Sequence, residues 1–101
     1  MPYVMVCYRV HPDRVTENEA LVRAVYEELA ASMPDGLHYA TFKLPDGVTF
    51  VHLAEHDEPN PLSTVAAFQR FQEGIRDRCD EPPAVTELTE VGSFRFFGAE
   101  Q

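Results

Sequence analysis

The sequence predicts an α+β fold in which four strands and two helices follow the order β-α-β-β-α-β. Two predicted strands are apolar on both faces, a Pro-Asp-Gly turn joins two β-rich segments, and two other segments carry apolar residues at helical spacing. The chain has 101 residues, of which 45% are hydrophobic and 25% are charged, a composition typical of one globular domain. We therefore expect a single domain over residues 1–101.

The first predicted strand, residues 3–10, has no polar face. One parity carries Val4, Val6, Tyr8 and Val10, and the other carries Tyr3, Met5, Cys7 and Arg9. Residues 48–54 repeat this pattern. Strands that are apolar on both sides are usually buried on both sides. Two helices suffice for only one face of the sheet, so we expect a second copy of the chain to cover the other.

The first helix is expected to begin at a capping box formed by residues 16–19 (Thr-Glu-Asn-Glu). From Ala20 onward, apolar residues recur at helical spacing as far as Leu29. Residues 33–36 (Met-Pro-Asp-Gly) end the helix, because proline cannot continue the hydrogen-bond ladder and glycine accepts a left-handed conformation.

Residues 37–44 and 48–55 form a predicted hairpin, because the Pro-Asp-Gly turn between them suits a three-residue loop with a glycine bulge. If Leu44 faces Val48, the pairs on one face are Phe42 with Phe50, Ala40 with His52, and His38 with Ala54. In this register His38 and His52 are diagonal neighbours on the same face.

The second helix is predicted over residues 62–78, after a cap at Asn60, and residues 80–83 (Asp-Glu-Pro-Pro) break it. The last strand is expected over residues 84–97, with a bulge or bend at Gly92. This order is the split βαβ, or ferredoxin-like, arrangement. Right-handed crossovers place both helices on one face of a four-stranded antiparallel sheet, with the first and third strands at its centre.

Charge and motif content argue against several classes of function. Eight Lys and Arg against 17 Asp and Glu give a net charge of −9, with no cluster of cations for nucleic acid or anionic membranes. No apolar stretch approaches the ~20 residues that span a bilayer, which predicts a soluble cytoplasmic protein. Residues 52–56 match the metalloprotease string H-x-x-E-H, but in a strand the two histidines lie roughly 13 Å apart and cannot share a zinc ion. Without nucleotide, phosphate or metal motifs, we expect no cofactor and no bound metal.

The complete pattern resembles the antibiotic biosynthesis monooxygenase-like family of the dimeric α/β-barrel superfamily. The resemblance covers the first strand, the helix at residues 16–19, the hairpin over residues 36–55, the second helix and the aromatic last strand. It implies a homodimer with a pocket between sheet and helices in each subunit. Some members oxidise aromatic polyketides with oxygen and neither metal nor flavin, some degrade haem, and relatives isomerise lactones. The chain has no tryptophan, a residue that catalytic members often use, which weakens the haem-degrading interpretation.

His38 and His52 are the candidate catalytic residues, because two imidazoles on one half-buried face can share proton transfer near neutral pH. The candidate substrate-binding residues are Tyr8, Phe42, Phe50 and Phe68. Tyr39 and Asn60 also match residue types that the family uses in its pocket. The simpler interpretation of the histidines and of Tyr8 is that they are packed core side chains. The expected function is that of a cofactor-independent monooxygenase or isomerase acting on a small aromatic or apolar molecule, and the alternative is a non-enzymatic dimer that binds a ligand or a protein.

Overall fold

Four antiparallel strands form one sheet, and the helices pack on one of its faces. The computed structural model describes residues 3–96. The strands are β1 (Tyr3–Val10), β2 (Leu37–Lys43), β3 (Thr49–His56) and β4 (Cys79–Leu88), and the helices are α1 (Val15–Ser32), α2 (Ala66–Gln72) and α3 (Ile75–Arg78). Short 3-10 turns occur at Pro12–Arg14 and Pro61–Thr64. The sheet order β2-β3-β1-β4 places the first and third strands at the centre, so the predicted ferredoxin-like α+β fold is confirmed.

The two faces of the sheet differ in burial. In β3, Phe50, His52, Ala54 and His56 are buried, and the residues that alternate with them are only partly buried. The buried side chains pack against the helices. We call the other side the open face, and its side chains include Met5, Cys7, Ala40, Phe42, Val51 and Leu53. Phe42 on the open face is 51% exposed, as expected for a sheet whose described helices all lie on the other side.

The predicted register of the β2–β3 hairpin is wrong by one residue. His38 lies opposite Glu55 and Thr41 lies opposite His52. The cause is the carboxylate of Asp46, whose Oδ1 accepts from the backbone N–H groups of Val48 and Thr49 at 2.9 Å each. These bonds draw Val48 into the turn, and the first pair after the turn joins the Leu44 N–H to the Thr49 carbonyl at 2.9 Å. A four-residue turn replaces the expected three-residue one, so the side chains of β2 lie on the face opposite the one predicted.

The start of α1 also differs from the prediction. The 3-10 turn that begins at Pro12 runs directly into the helix, so α1 begins at Val15 and no side chain caps it. The predicted capping box over residues 16–19 therefore lies inside the helix, where Asn18 is fully buried. The expected end is confirmed, because Met33 adopts a left-handed conformation with φ of 46° and its N–H donates to the Leu29 carbonyl at 2.8 Å.

The second helical segment consists of three pieces, where a single helix over residues 62–78 was predicted. Val65 is extended and separates the 3-10 turn from α2, and Gly74, with φ of 71°, separates α2 from α3. The predicted cap is confirmed, because the Leu62 N–H donates to Asn60 Oδ1 at 3.0 Å. Within residues 3–96, no helix has the length and apolar character needed to cross a membrane.

The last strand begins and ends earlier than predicted. β4 contains Pro82 and Pro83, which were expected to lie before the strand, and it ends at Leu88. An outer strand tolerates prolines, and the pairing with β1 shifts register between Cys7 and Arg9, opposite these two residues. Residues 89–96 form no strand, so the bulge predicted at Gly92 is absent, and Phe97 lies outside the described residues.

Candidate active site

A cavity of about 360 Å³ lies between the helix-covered face of the sheet and helices α2 and α3. β1 and β3 form its floor because their buried side chains point toward the helices. The walls are mostly apolar and include Val4, Val6, Leu62, Phe68, Phe71 and Ile75. Clefts of this volume accommodate small organic ligands, and a few placed polar groups usually set the orientation of the ligand.

His52 lies in the floor of this cavity and is 4% exposed. The Nε2 atom lies 2.8 Å from the Tyr8 hydroxyl, and Nδ1 lies 2.6 Å from the Tyr39 hydroxyl and 3.1 Å from Thr41 Oγ1. Burial lowers the pKa of His52 to about 4, because desolvation disfavours the imidazolium. The same effect raises the pKa of Tyr8 and of Tyr39. At pH 7 the imidazole is therefore neutral and both phenols are protonated.

Two further buried side chains extend this network away from the cavity. Asn18 Nδ2 donates to the Tyr8 hydroxyl at 3.0 Å, and Asn18 Oδ1 accepts from Arg78 Nε at 3.0 Å. Arg78 is 2% exposed, and its Nη2 donates to the Phe71 carbonyl at 2.7 Å. Desolvation lowers the pKa of Arg78, but a guanidinium stays charged inside a protein. Among residues 3–96, Arg78 forms no ion pair with a carboxylate, so the network ends in a buried cation.

Stacked aromatic rings hold the hydroxyl groups of the floor in place. The rings of Tyr8 and Phe50 stack with centroids 5.6 Å apart, and those of Tyr26 and Tyr39 stack at 5.3 Å. The His52 ring packs against Phe71 at 5.4 Å. Such pairs contribute about 0.5–1.5 kcal/mol each beyond their burial. The floor is therefore a rigid set of polar groups supported by rings.

A second set of polar groups lines the same cavity near the end of β3. His56 is buried, and its Nδ1 lies 3.0 Å from the Asp57 carbonyl, so Nδ1 carries a proton. Its Nε2 has no hydrogen-bond partner among residues 3–96. Asn60 uses its Oδ1 to cap the following turn, which leaves its amide N–H groups for another acceptor. Both side chains line the cavity, so this end can bind a polar group of a ligand.

Three predicted site residues line the cavity, and a fourth supports it. Tyr8, His52 and Phe68 lie in the lining. Phe50 stacks behind Tyr8 and faces a shallower hollow beside α1.

His38 and Phe42 are not part of the cavity. Both side chains lie on the open face of the sheet. His38 Nδ1 lies 3.1 Å from Glu55 Oε1, and the His38 side chain is 41% exposed. The prediction that His38 and His52 share a face is wrong, because the hairpin register differs by one residue. That shift puts Tyr39 beside His52 instead.

Asn18 and Arg78 are the functional candidates that the sequence did not reveal. Asn18 was assigned to a capping box, yet it precedes the buried Val22 and Val25 by four and seven residues and thus lies on the buried stripe of α1. That spacing is a usable signal. Arg78 carries no comparable signal, because arginines at the end of a helix are normally solvated. No cluster of three His, Cys, Asp or Glu side chains within residues 3–96 could hold a metal ion.

No protein-family model and no curated protein matches the sequence. Solved structures do match. An antibiotic biosynthesis monooxygenase gives a TM-score of 0.72 at 20% sequence identity, over 91% of this chain and 100% of that one. A Nitrosomonas europaea protein for which the same activity is suggested gives 0.74 at 13% identity, over 91% and 100% of the two chains. The chain has the fold of the antibiotic biosynthesis monooxygenases.

The structure of Rv0793 from Mycobacterium tuberculosis matches this chain as well, with a TM-score of 0.70 at 19% identity over 91% of this chain and 96% of that one. Coverage is nearly complete on both sides, so the likeness extends over the whole βαββαβ unit. Because the identities are low, the monooxygenase fold is what these structures share with the chain. Its activity has to be inferred from the cavity.

Proposed function

We propose that this protein is a homodimeric member of the antibiotic biosynthesis monooxygenase family that oxidises a small aromatic molecule in the cavity, using oxygen without a metal or flavin. The observation that carries the proposal is the neutral His52 held between two protonated tyrosines in the floor of an apolar cavity. The shared fold supports the assignment to this family.

An electron-rich phenol can supply the electrons for such a reaction itself. The phenol loses its hydroxyl proton to the solvent, and the resulting anion transfers electrons to oxygen as a C–O bond forms. The peroxide anion then takes up a proton to become a hydroperoxide. The hydroperoxide then loses water as its carbon gives up its hydrogen and the O–O bond breaks. One oxygen atom remains as the new carbonyl of a quinone, and the other leaves in the water.

The floor of the cavity suits the first of these steps. Negative charge develops on the ligand oxygen when its proton leaves, and a fixed hydrogen-bond donor in a dry site stabilises such charge strongly. Tyr39 lies in the lining and its hydroxyl remains protonated, so this hydroxyl can donate to the ligand oxygen. Removing one donor of this kind typically lowers turnover by about 10²–10³-fold.

The open face supports the homodimer. Its side chains are largely apolar although none of the described helices covers them, and Phe42 is half exposed. A second copy packed face to face would remove this surface from water, and burial of apolar area stabilises association by about 25 cal/mol per Å².

A second candidate function is ligand binding without catalysis. The pKa of His52 is about 4, so this imidazole is a weak base at neutral pH. Both neighbouring tyrosines also keep their protons. A floor that holds its protons in this way is well suited to recognising an oxygen atom without reacting with it.

Turnover under ¹⁸O₂ distinguishes these functions. The purified protein is incubated with naphthalenediols, and mass spectrometry follows both binding and ¹⁸O incorporation. We expect a labelled quinone from the wild type and a loss of about 10²–10³-fold in kcat/KM for Tyr39→Phe. Tyr3→Phe, on the open face, is the matched control and should retain activity. Binding without labelled product would favour the binding module, and no binding at all would contradict both functions.

A further inference from the structure

We infer that Arg78 and Asn18 fix the direction of every hydrogen bond in the cavity floor, so that Tyr39 presents a donor to an anionic oxygen of the ligand. Arg78 and Asn18 are therefore positioning residues. The ligands expected in the cavity are phenols or enols that bind as their anions. The inference rests on the proposed function only in taking the cavity as a ligand site.

The direction is set at the buried end of the network. An arginine Nε–H can only donate, so the Asn18 atom that faces it at 3.0 Å must be the carbonyl oxygen Oδ1. The amide nitrogen of Asn18 then faces the Tyr8 hydroxyl at 3.0 Å and can only donate to it. The Tyr8 oxygen is therefore an acceptor in this bond, and its own proton must go elsewhere.

That proton has one acceptor within reach among the described residues, His52 Nε2 at 2.8 Å. A neutral imidazole that accepts at Nε2 carries its proton on Nδ1. Nδ1 then donates to the Tyr39 oxygen, 2.6 Å away. Thr41 Oγ1 lies farther from the same Nδ1, at 3.1 Å, and also bonds the Tyr26 hydroxyl at 2.7 Å, so Tyr39 is the nearer acceptor. Tyr39 thus accepts from His52 and keeps a proton that can turn toward a ligand.

Five donors consequently point the same way, from the buried Arg78 cation to the cavity. Hydrogen bonds in such a chain polarise one another, and each becomes a stronger donor than it would be alone. The chain therefore favours a ligand oxygen that carries negative charge. Arg78 forms no carboxylate ion pair within residues 3–96, and the carboxylate that acts on it electrostatically, Glu17, is exposed to solvent, so the guanidinium remains an unpaired buried cation.

The test uses 4-nitrophenol as the probe, because its phenolate and phenol forms have different visible absorption. Absorbance titration of the probe with the full-length protein gives the affinity for each form. We expect the wild type to bind the phenolate more tightly than the phenol. Arg78→Met should reduce this preference about tenfold, because the attraction between a buried unit charge and an anion is only partly screened by the protein.

Two variants serve as comparisons. Arg76→Met removes the same charge from an exposed position of α3 and should change the preference by less than about twofold, because solvent screens surface charges. Asn18→Leu keeps the Arg78 charge but breaks the chain, and it should lose most of the preference. If Arg78→Met and Arg76→Met behave alike, or the wild type binds both forms equally, the inference is overturned while the cavity remains a ligand site. If the probe does not bind to the wild type, both the inference and the proposed function are contradicted.

One further measurement needs only the wild type, so it tests the inference even if a variant fails to fold. Long-range ¹H–¹⁵N correlation spectra report which ring nitrogen of His52 is protonated. We expect Nδ1–H with Nε2 as the acceptor. The opposite tautomer would reverse the chain and overturn the inference, whatever the variants show.

Discussion

Protonation of His52 is expected to destabilise the fold in mild acid. Its pKa falls from 6.5 to about 4 in the folded protein, so between these pH values the unfolded chain binds a proton that the folded chain does not. Stability therefore rises with pH across this window and does not depend on His52 above it. Because one pKa unit corresponds to about 1.4 kcal/mol, the free energy of unfolding should fall by about 3 kcal/mol from pH 7 to pH 4.

Urea unfolding at several pH values from 7 to about 4.5 measures this effect. Carboxylates whose pKa is lowered in the folded protein, such as those of Glu17 and Glu19, add a slope of the same sign below about pH 5.5, because the unfolded chain then takes up protons that the folded chain does not. Comparison of the wild type with His52→Gln removes this shared contribution and leaves the part that belongs to the histidine. His52→Gln should flatten the dependence, whatever its stability at pH 7. His11→Gln, at an exposed histidine, should keep the wild-type slope. An unchanged slope in His52→Gln would refute the reasoning.

Two further perturbations test the fold and the open face. Gly36→Ala places a Cβ against the Asp57 side chain, 2.9 Å from its Cγ and 3.1 Å from its Cβ, at φ of +76°, whereas Gly47→Ala has a similar φ of +78° and no atom within 4 Å. In urea unfolding the first variant should lose about 2 kcal/mol more than the second, and equal losses would contradict the steric argument. Phe42→Glu on the open face should raise the dimer dissociation constant by ~100-fold or more, because burying an unpaired carboxylate costs several kcal/mol. Ala31→Glu, on the exposed side of α1, should leave it unchanged, and a sedimentation profile that stays dimeric in Phe42→Glu would exclude this face as the interface.

The architecture could be predicted because it depends on features that repeat along the chain. Strands that are apolar on both faces, helical spacing after Ala20 and the turn signals at residues 45–47 together predict the topology that is observed. The residues that form the site could not be predicted as well. Their positions depend on single residues that can take either of two local roles.

One such case is at the hairpin turn, where the Asp46 carboxylate binds the Val48 amide and lengthens the loop by one residue. Both loop lengths suit the Pro-Asp-Gly sequence, yet they place different side chains of β2 beside His52. Another is at Asn18, which has the chemistry of a cap and the position of a core residue. The burial of Arg78 depends on the break at Gly74, which the spacing of apolar residues does not reveal.

Two adjacent prolines in an outer strand limit how this protein can aggregate. Pro82 and Pro83 remove two amide donors from β4, and the register shift opposite them interrupts its ladder. A strand from another molecule that docked along this margin would meet a missing donor and an irregular backbone, so growth of a continuous intermolecular sheet is disfavoured there.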